Sequence, residues 1–520
     1  MTTHTYPFSF KNPLEDVTKD NKIANPCILV IFGATGDLTA RRLIPAIYNL
    51  AKEGQLPTHF ACVGFARREK TNEQFREEMV QAVEKFSRNK PVDQNLWKNF
   101  SEQLFYHRSE FDDDKGYEEL HRVLQELDAK FGTRGNRVFY FSTPPSYFPT
   151  IIEKLSKHKL VYDINKVHDK WSRIIIEKPF GHELDSAIHL QQHIEKYLDE
   201  RQIFRIDHFL GKETVQNLLV FRFDNPIFES LWNNHHIDNI QISVAEELGV
   251  GTRGAFFEET GMLRDIVQNH MMQILALVGM EPPINLDANS IRDEKVKVLQ
   301  SIRPIASKEM HSRVVRGQYG PGYILGQDVP GYRQEPNVSP TSRTETYVAL
   351  ELYLDSWRWF GVPFYLRAGK RLPKRVTEIA ITFKRAPPIL FQAASTRHDN
   401  NVLVIRVQPD EGISLKINCK VPGLSATSIQ PVKMDFRYGS YFGSTPPDAY
   451  ERLICDCMAG DTTLFARKDE VFASWKLLTP VLHYWQEHPN VEFPNYPAGS
   501  WGPAEADQML EKEGRKWRLL

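Results

Sequence analysis

The chain has 520 residues, 41% of them hydrophobic and 25% charged, an ordinary globular composition with material for roughly two to four domains. Lys plus Arg (65) and Asp plus Glu (66) nearly cancel, leaving a net charge of −1, which argues against nucleic acid or an anionic membrane as a bulk partner. Of the five cysteines only Cys455 and Cys457 are closely spaced, too few ligands for a zinc site, so no metal is expected and a reduced, cytoplasmic setting fits.

Residues 1–25 are polar and proline-bearing. They read as an N-terminal arm, without the basic and then apolar regions of a secretory signal. Cys27–Phe32 is a continuous apolar run, the mark of a strand buried on both faces. Gly33-Ala-Thr-Gly36-Asp37-Leu38 follows, then a helical pattern to Glu53 closed by Gly54. Phe60–Gly64 is a second buried strand, which completes a βαβ unit. Gln74–Phe86, Gly116–Phe131 and Tyr147–Lys157 read as helices, and Arg137–Phe141 and Arg173–Ile176 as strands. This predicts a doubly wound, Rossmann-like α/β domain over residues 26–205.

Beyond residue 205 the pattern changes. Ile240, Ile242 and Val244 alternate within Ile237–Glu246, as do Ile379, Ile381 and Phe383. Val402–Val407 and Ile413–Val421 flank a hairpin loop, Gln408–Gly412. Lys212–Phe223 and Met262–Gly279 read as helices. The apolar stretch Met271–Met280 is too short to span a bilayer. Residues 206–520 are therefore expected to form a larger α+β domain with a mainly antiparallel sheet.

Three segments carry chemistry. Glycines in Gly33–Gly36, between a strand and a helix, let backbone approach a pyrophosphate at the helix N-terminus. The second strand ends in Gly64-Phe-Ala-Arg67-Arg68 with no acid for a ribose 2′-hydroxyl. Arginine matches a 2′-phosphate, so NADP is the expected cofactor. Glu177-Lys178-Pro179 stands at a strand C-terminus, where a lysine reaches both cofactor and substrate. In Arg205-Ile-Asp207-His208-Phe-Leu-Gly211-Lys212-Glu213, His208, Lys212 and a helix start suit a phosphate, and Asp207 projects to the other side, where it can orient a base. The third segment, Gly261–His270, places Asp265 and His270 about 140° apart at 100° per residue, not on one face. Spacing alone does not join them.

The motifs GATGDL, EKPFG, RIDHFLGKE and GMLRDIVQNH, with Leu366–Lys370 and Gly502–Asp507, occur in this order over nearly the whole chain. The chain resembles the glucose-6-phosphate dehydrogenase family. The resemblance implies oxidation of glucose 6-phosphate at C1 to the lactone with hydride transfer to NADP, the first step of the oxidative pentose phosphate pathway, in a soluble homodimer or homotetramer built through the large sheet. It implies that His270 is the general base, paired with Asp207. His208, Lys212 and Arg375 would serve the sugar phosphate and Lys178 would bridge substrate and nicotinamide. Glu246, Asp265 and Lys370 would bond sugar hydroxyls, and Gly33, Thr35, Gly36, Asp37, Leu38 and Arg67 would hold the dinucleotide. One position departs: Phe209 stands where the family commonly has Tyr. Two other readings are a sugar oxidoreductase that shares only the Glu-Lys-Pro motif and an inactive sugar-phosphate sensor.

Overall fold

The computed structural model describes residues 24–387, 389, 399–423, 428–443, 446–489 and 491–520. The arm expected over residues 1–25 lies outside them except for Ala24 and Asn25. Six strands, β1 (Cys27–Phe32), β2 (Phe60–Ala66), β3 (Leu104–Arg108), β4 (Arg137–Phe141), β5 (Ser172–Ile176) and β6 (Ile203–Ile206), form a parallel sheet in the order 3-2-1-4-5-6. β1 lies in the middle and is buried at every residue, which is why its sequence contains no polar side chain. The strand order reverses between β1 and β4, and there the doubly wound fold opens its ligand crevice, beyond the strand C-termini. The helices after β1, β2, β3 and β4 fall where the apolar spacing puts them. β3, β6 and the helices Gln94–Ser101 and Leu184–Ile194 add to the predicted set.

A seventh strand comes from far along the chain. Phe465–Ala466 pairs antiparallel with the edge strand β6, Phe465 opposite Ile206. The first sheet thus recruits residues from the chain's last sixty.

The second sheet has eight strands: β7 (Ile237–Ala245), β8 (Val314–Gly317), β9 (Tyr347–Tyr353), β10 (Pro363–Gly369), β11 (Val376–Phe383), β12 (Val402–Gln408), β13 (Gly412–Lys420) and β14 (Ile429–Arg437). Their order is 14-13-12-11-7-10-9-8, and only β7 and β10 run parallel. β12 and β13 form the expected hairpin. The alternation in β7 reflects two different coverings. Ile240, Ile242 and Val244 are buried on one face, and Asn239, Gln241 and Ser243 are buried on the other. The C-terminal tail satisfies part of that polar face: Gln241 Nε2 donates to Lys516 O (2.9 Å), and the Arg518 N–H donates to Gln241 Oε1 (2.8 Å).

The segment expected as one helix over Met262–Gly279 is a π-helix, Leu263–Met271, continued by an α-helix, Met272–Gly279. Gly261, just before it, has φ +62° and ψ −178°, a conformation open essentially to glycine alone. A Cβ there would stand 2.4 Å from Glu345 Oε1, the atom that accepts the Leu263 N–H at 3.0 Å.

Candidate active site

The strand C-termini of the first sheet and one end of the second enclose a cleft of about 2710 Å³, well above the roughly 300–1,000 Å³ of a single small-molecule pocket. It has room for a dinucleotide and a sugar phosphate together. On the dinucleotide side, Gly33 turns at φ +84°, and a Cβ there would stand 2.1 Å from Ser142 O. Glycine therefore lets the turn pass under the end of β4. Helix begins at Asp37, and Asp37 and Leu38 line the cleft while Gly33, Thr35 and Gly36 form the turn behind them. The first N–H groups of such a helix have no preceding turn to bond and suit a pyrophosphate. Arg67 is exposed just past the end of β2, outside the cleft lining, and no carboxylate among the described residues pairs with it. This donor set fits a dinucleotide bearing a 2′-phosphate.

Asp207 immediately follows β6, and His270 lies near the end of the π-helix. Although 63 residues apart in sequence, they meet. His270 Nδ1 is 2.6 Å from Asp207 Oδ1. A carboxylate only accepts, so Nδ1 is the donor and Nε2 is left with its lone pair. Nε2 is buried and has no partner, on a residue that lines the cleft. Asp207 Oδ1 also accepts the Phe209 N–H at 2.9 Å, which fixes the carboxylate. The Phe209 ring stacks on the imidazole, with centroids 4.3 Å apart and planes at 20°.

Burial lowers the His270 pKa, the Asp207 charge opposes this and Lys178 reinforces it; the net shift is downward. Burial works to raise the Asp207 carboxyl, but the charge and hydrogen bond of His270, with the Phe209 N–H and Lys178, outweigh it and hold the acid below its ordinary value. The resting pair is therefore a neutral imidazole beside a carboxylate.

Two ion pairs form the adjoining wall. Lys178 Nζ donates to Asp265 Oδ1 (2.7 Å) and to the Asp265 carbonyl (2.8 Å). Lys370, buried at the end of β10, pairs with Glu246 at the end of β7. Asp265 and His270 both line the cleft, which corrects the expectation from a 3.6-residue period. A π-helix closes its hydrogen bonds over five residues, so positions i and i+5 come into register.

His208, Lys212 and Arg375 line the next stretch of the cleft. Burial lowers the Lys212 pKa, opposed by Glu411 and reinforced by Arg375. His208 is held well below its ordinary value by burial and by the charges of His270, Lys178, Lys212 and Arg42. This concentration of positive potential is what a phosphate dianion would relieve. Arg375 is exposed, its Nη2 3.3 Å from Gln408 Oε1.

The sequence reading missed Arg42, Glu411 and Tyr450, all of which line the cleft. Arg42 lies four residues beyond Leu38, and helical spacing puts it on the same face. Glu411 sits in the hairpin loop between β12 and β13, beside Lys212, and burial raises its carboxyl. Nothing local marks that loop as part of the site. The half-buried Glu177, which accepts from Tyr140 (2.6 Å), also faces Tyr450.

Residues 30–217 match the family model of the glucose-6-phosphate dehydrogenase NAD binding domain, and residues 219–518 match that of the C-terminal domain. The chain is 59% identical over 498 residues to the glucose-6-phosphate 1-dehydrogenase of Chlamydia pneumoniae, covering 95% of this chain and 96% of that one. It is 53% identical to that of Chlamydia muridarum, covering 95% and 97%. Its fold is similar to a solved glucose-6-phosphate dehydrogenase in complex with its substrate glucose-6-phosphate, with a TM-score of 0.85 at 36% identity, covering 96% of this chain and 99% of that one.

Proposed function

Because this chain belongs to the glucose-6-phosphate dehydrogenase family, we propose that its own residues divide the work of that reaction around the Asp207–His270 pair. The reaction is oxidation of glucose 6-phosphate at C1 with NADP. The cofactor, when bound, supplies the hydride acceptor. His270 Nε2 takes the C1-hydroxyl proton, and the observation that carries this assignment is the Nδ1 bond to Asp207 (2.6 Å), which leaves Nε2 as the free ring nitrogen. Asp207 holds the tautomer and offsets the charge of the imidazolium that forms. A resting pKa below the ordinary histidine value keeps the base unprotonated at neutral pH.

His208 and Lys212 bind the 6-phosphate with Arg375 at its edge. The Lys178–Asp265 and Lys370–Glu246 pairs offer donors and acceptors side by side, the complement of sugar hydroxyls. Lys178, at the end of β5, also reaches toward the nicotinamide side. The Gly33–Leu38 turn holds the pyrophosphate and Arg67 the 2′-phosphate. The intact, correctly joined acid–histidine pair favours an active enzyme over a sugar-phosphate sensor. The cationic stretch from His208 to Arg375 favours a phosphorylated sugar over a free one.

The pathway step is the first of the oxidative pentose phosphate route, and the setting is cytoplasmic. No helix among the described residues is long and apolar enough to cross a membrane. The assembly is a homodimer or homotetramer built through the large sheet, whose outer strand β14 exposes Val432 and Met434. The functional units are residues 26–205 for the dinucleotide and 206–520 for the substrate and assembly.

His270→Asn tests the base. General bases act in the transition state, so kcat is expected to fall by about 10²–10⁴-fold with sugar-phosphate binding retained. A variant that kept most of its turnover would remove His270 from that role.

A further inference from the structure

Behind the acid–histidine pair lies a second, small cavity of about 30 Å³, bounded by the end of β6, the π-helix with its continuation, and the helix Lys468–Glu487. Asp207 lines this cavity but not the cleft, whereas His270 lines the cleft but not this cavity. Glu177 and Lys178 line both, so the small cavity adjoins the cleft and meets the pair on its Asp207 side. A water molecule needs a space of about 10–15 Å³.

Three residues lining the cavity carry a buried polar atom with no partner: Arg205 Nε, Asp207 Oδ2 and Gln273 Oε1. These residues are 3%, 2% and 4% exposed. The rest of the Arg205 guanidinium and the other Asp207 oxygen are engaged. Arg205 Nη1 donates to Glu200 Oε1 (2.6 Å), and Nη2 donates to Glu200 Oε2 (2.9 Å) and to Gln191 Oε1. Asp207 Oδ1 already accepts from His270 and from the Phe209 N–H. What remains is one donor and two acceptors. A water, with two O–H groups and free lone pairs, is the complement of that set. A cation would oppose the Arg205 N–H, and an anion would oppose both oxygens.

We propose that one ordered water occupies this cavity, accepting from Arg205 Nε–H and donating to Asp207 Oδ2 and Gln273 Oε1, and that Arg205 and Gln273 are thereby positioning residues for the Asp207–His270 pair. The water engages the second carboxylate oxygen and so opposes rotation of the carboxylate away from the imidazole. It also draws off part of the negative charge that would otherwise bear on the imidazole alone. Gln273 lies three residues beyond His270, so the water ties the base's own helix to β6. Glu177 and Lys178 are the other ionisable groups on the cavity wall besides Arg205 and Asp207. Lys178, Asp265 and His208 face the imidazole.

The inference rests on Asp207–His270 being the catalytic pair, and its tests separate from that reading. A high-resolution crystal structure of the full wild-type chain is expected to show one solvent peak within about 2.6–3.2 Å of all three atoms. No peak there, or direct bonds among the three side chains, overturns the proposal and leaves the base assignment untouched. In the intact enzyme, Gln273→Met is expected to lower kcat about tenfold, the size of one lost hydrogen bond, with the KM for glucose 6-phosphate unchanged. Gln273→Met removes one of the water's two acceptors and is expected to release it; without that donor to its carboxylate, Asp207 holds the imidazolium proton more strongly, so the acid limb of the kcat/KM–pH profile should move to higher pH. A purely structural defect lowers activity without moving that limb, and an unmoved limb overturns the positioning role.

Discussion

Phe209 shows how one side chain sets the character of the proposed base. Its ring lies flat on the His270 imidazole at 4.3 Å, and Lys212 Nζ stands 5.6 Å from the ring centroid. The ring excludes water from one face of the imidazole, and burial is the largest influence that lowers the His270 pKa. It also stands where the family commonly has Tyr, whose hydroxyl would be a donor for the proposed phosphate site. Phe209→Tyr restores that donor without removing the stack. The KM for glucose 6-phosphate should fall about three- to tenfold, as expected for one added hydrogen bond, with kcat nearly constant. An unchanged KM in steady-state assays would mean that the ring edge does not reach the phosphate.

Among the elements, the π-helix decides the site. With α-helical spacing, Asp265 and His270 diverge. With five residues closing each hydrogen-bonded turn, both line the cleft. Asn269 supports the wide turn, since its Nδ2 donates to Arg264 O at 3.0 Å, five residues back. The entry to the helix depends on Gly261, whose φ of +62° and closeness to Glu345 leave no space for a Cβ. Gly261→Ala should destabilise the protein by about 1–3 kcal/mol. It should also lower kcat more than it changes KM, because the displaced segment carries the proposed base. Denaturation midpoints and steady-state kinetics measure the two effects, and a variant unchanged in both would show that the backbone strain is relieved elsewhere. A hydrophobic pattern cannot reveal a π-turn, because the apolar residues of Leu263–Met271 satisfy either period.

At the scale of the whole molecule, folding holds three histidines neutral, and two of them, His208 and His270, line the cleft among positive groups. His107, His208 and His270 all have pKa values below the ordinary one, with burial the largest cause in each case. The sign follows from linkage. As pH falls through about 6.5, the unfolded chain takes up protons that these folded histidines refuse, so stability is present above that value and is lost below it. The melting temperature should therefore fall between about pH 7.5 and pH 5.5, above the range in which ordinary carboxylates titrate. Glucose 6-phosphate should reduce the loss, since an anion beside His208 favours its protonated form. Scanning calorimetry across that range, with and without the sugar phosphate, reads both effects, and a flat profile would contradict the burial of neutral imidazoles. Assembly of the fold also crosses long stretches of chain. Phe465–Ala466 completes the first sheet, and the tail at Lys516–Arg518 satisfies Gln241 in the second.

The sequence by itself determined the two-part architecture, because strands buried on both faces must be continuously apolar while strands of a mixed sheet alternate. It also made legible the glycine turn proposed for the cofactor and Lys212 of the proposed phosphate site, since glycine and lysine carry their chemistry locally. β3 and β6 were not legible, because His107 and Arg108 in the one and Arg205 in the other break their short apolar runs. Residue spacing did not join Asp207 to His270; only the resemblance linked them. That contact, the placing of Glu411 beside Lys212 and the cavity behind the pair were decided by the tertiary structure. Each arises where separate elements pack, and no local pattern of side chains encodes which distant element will arrive.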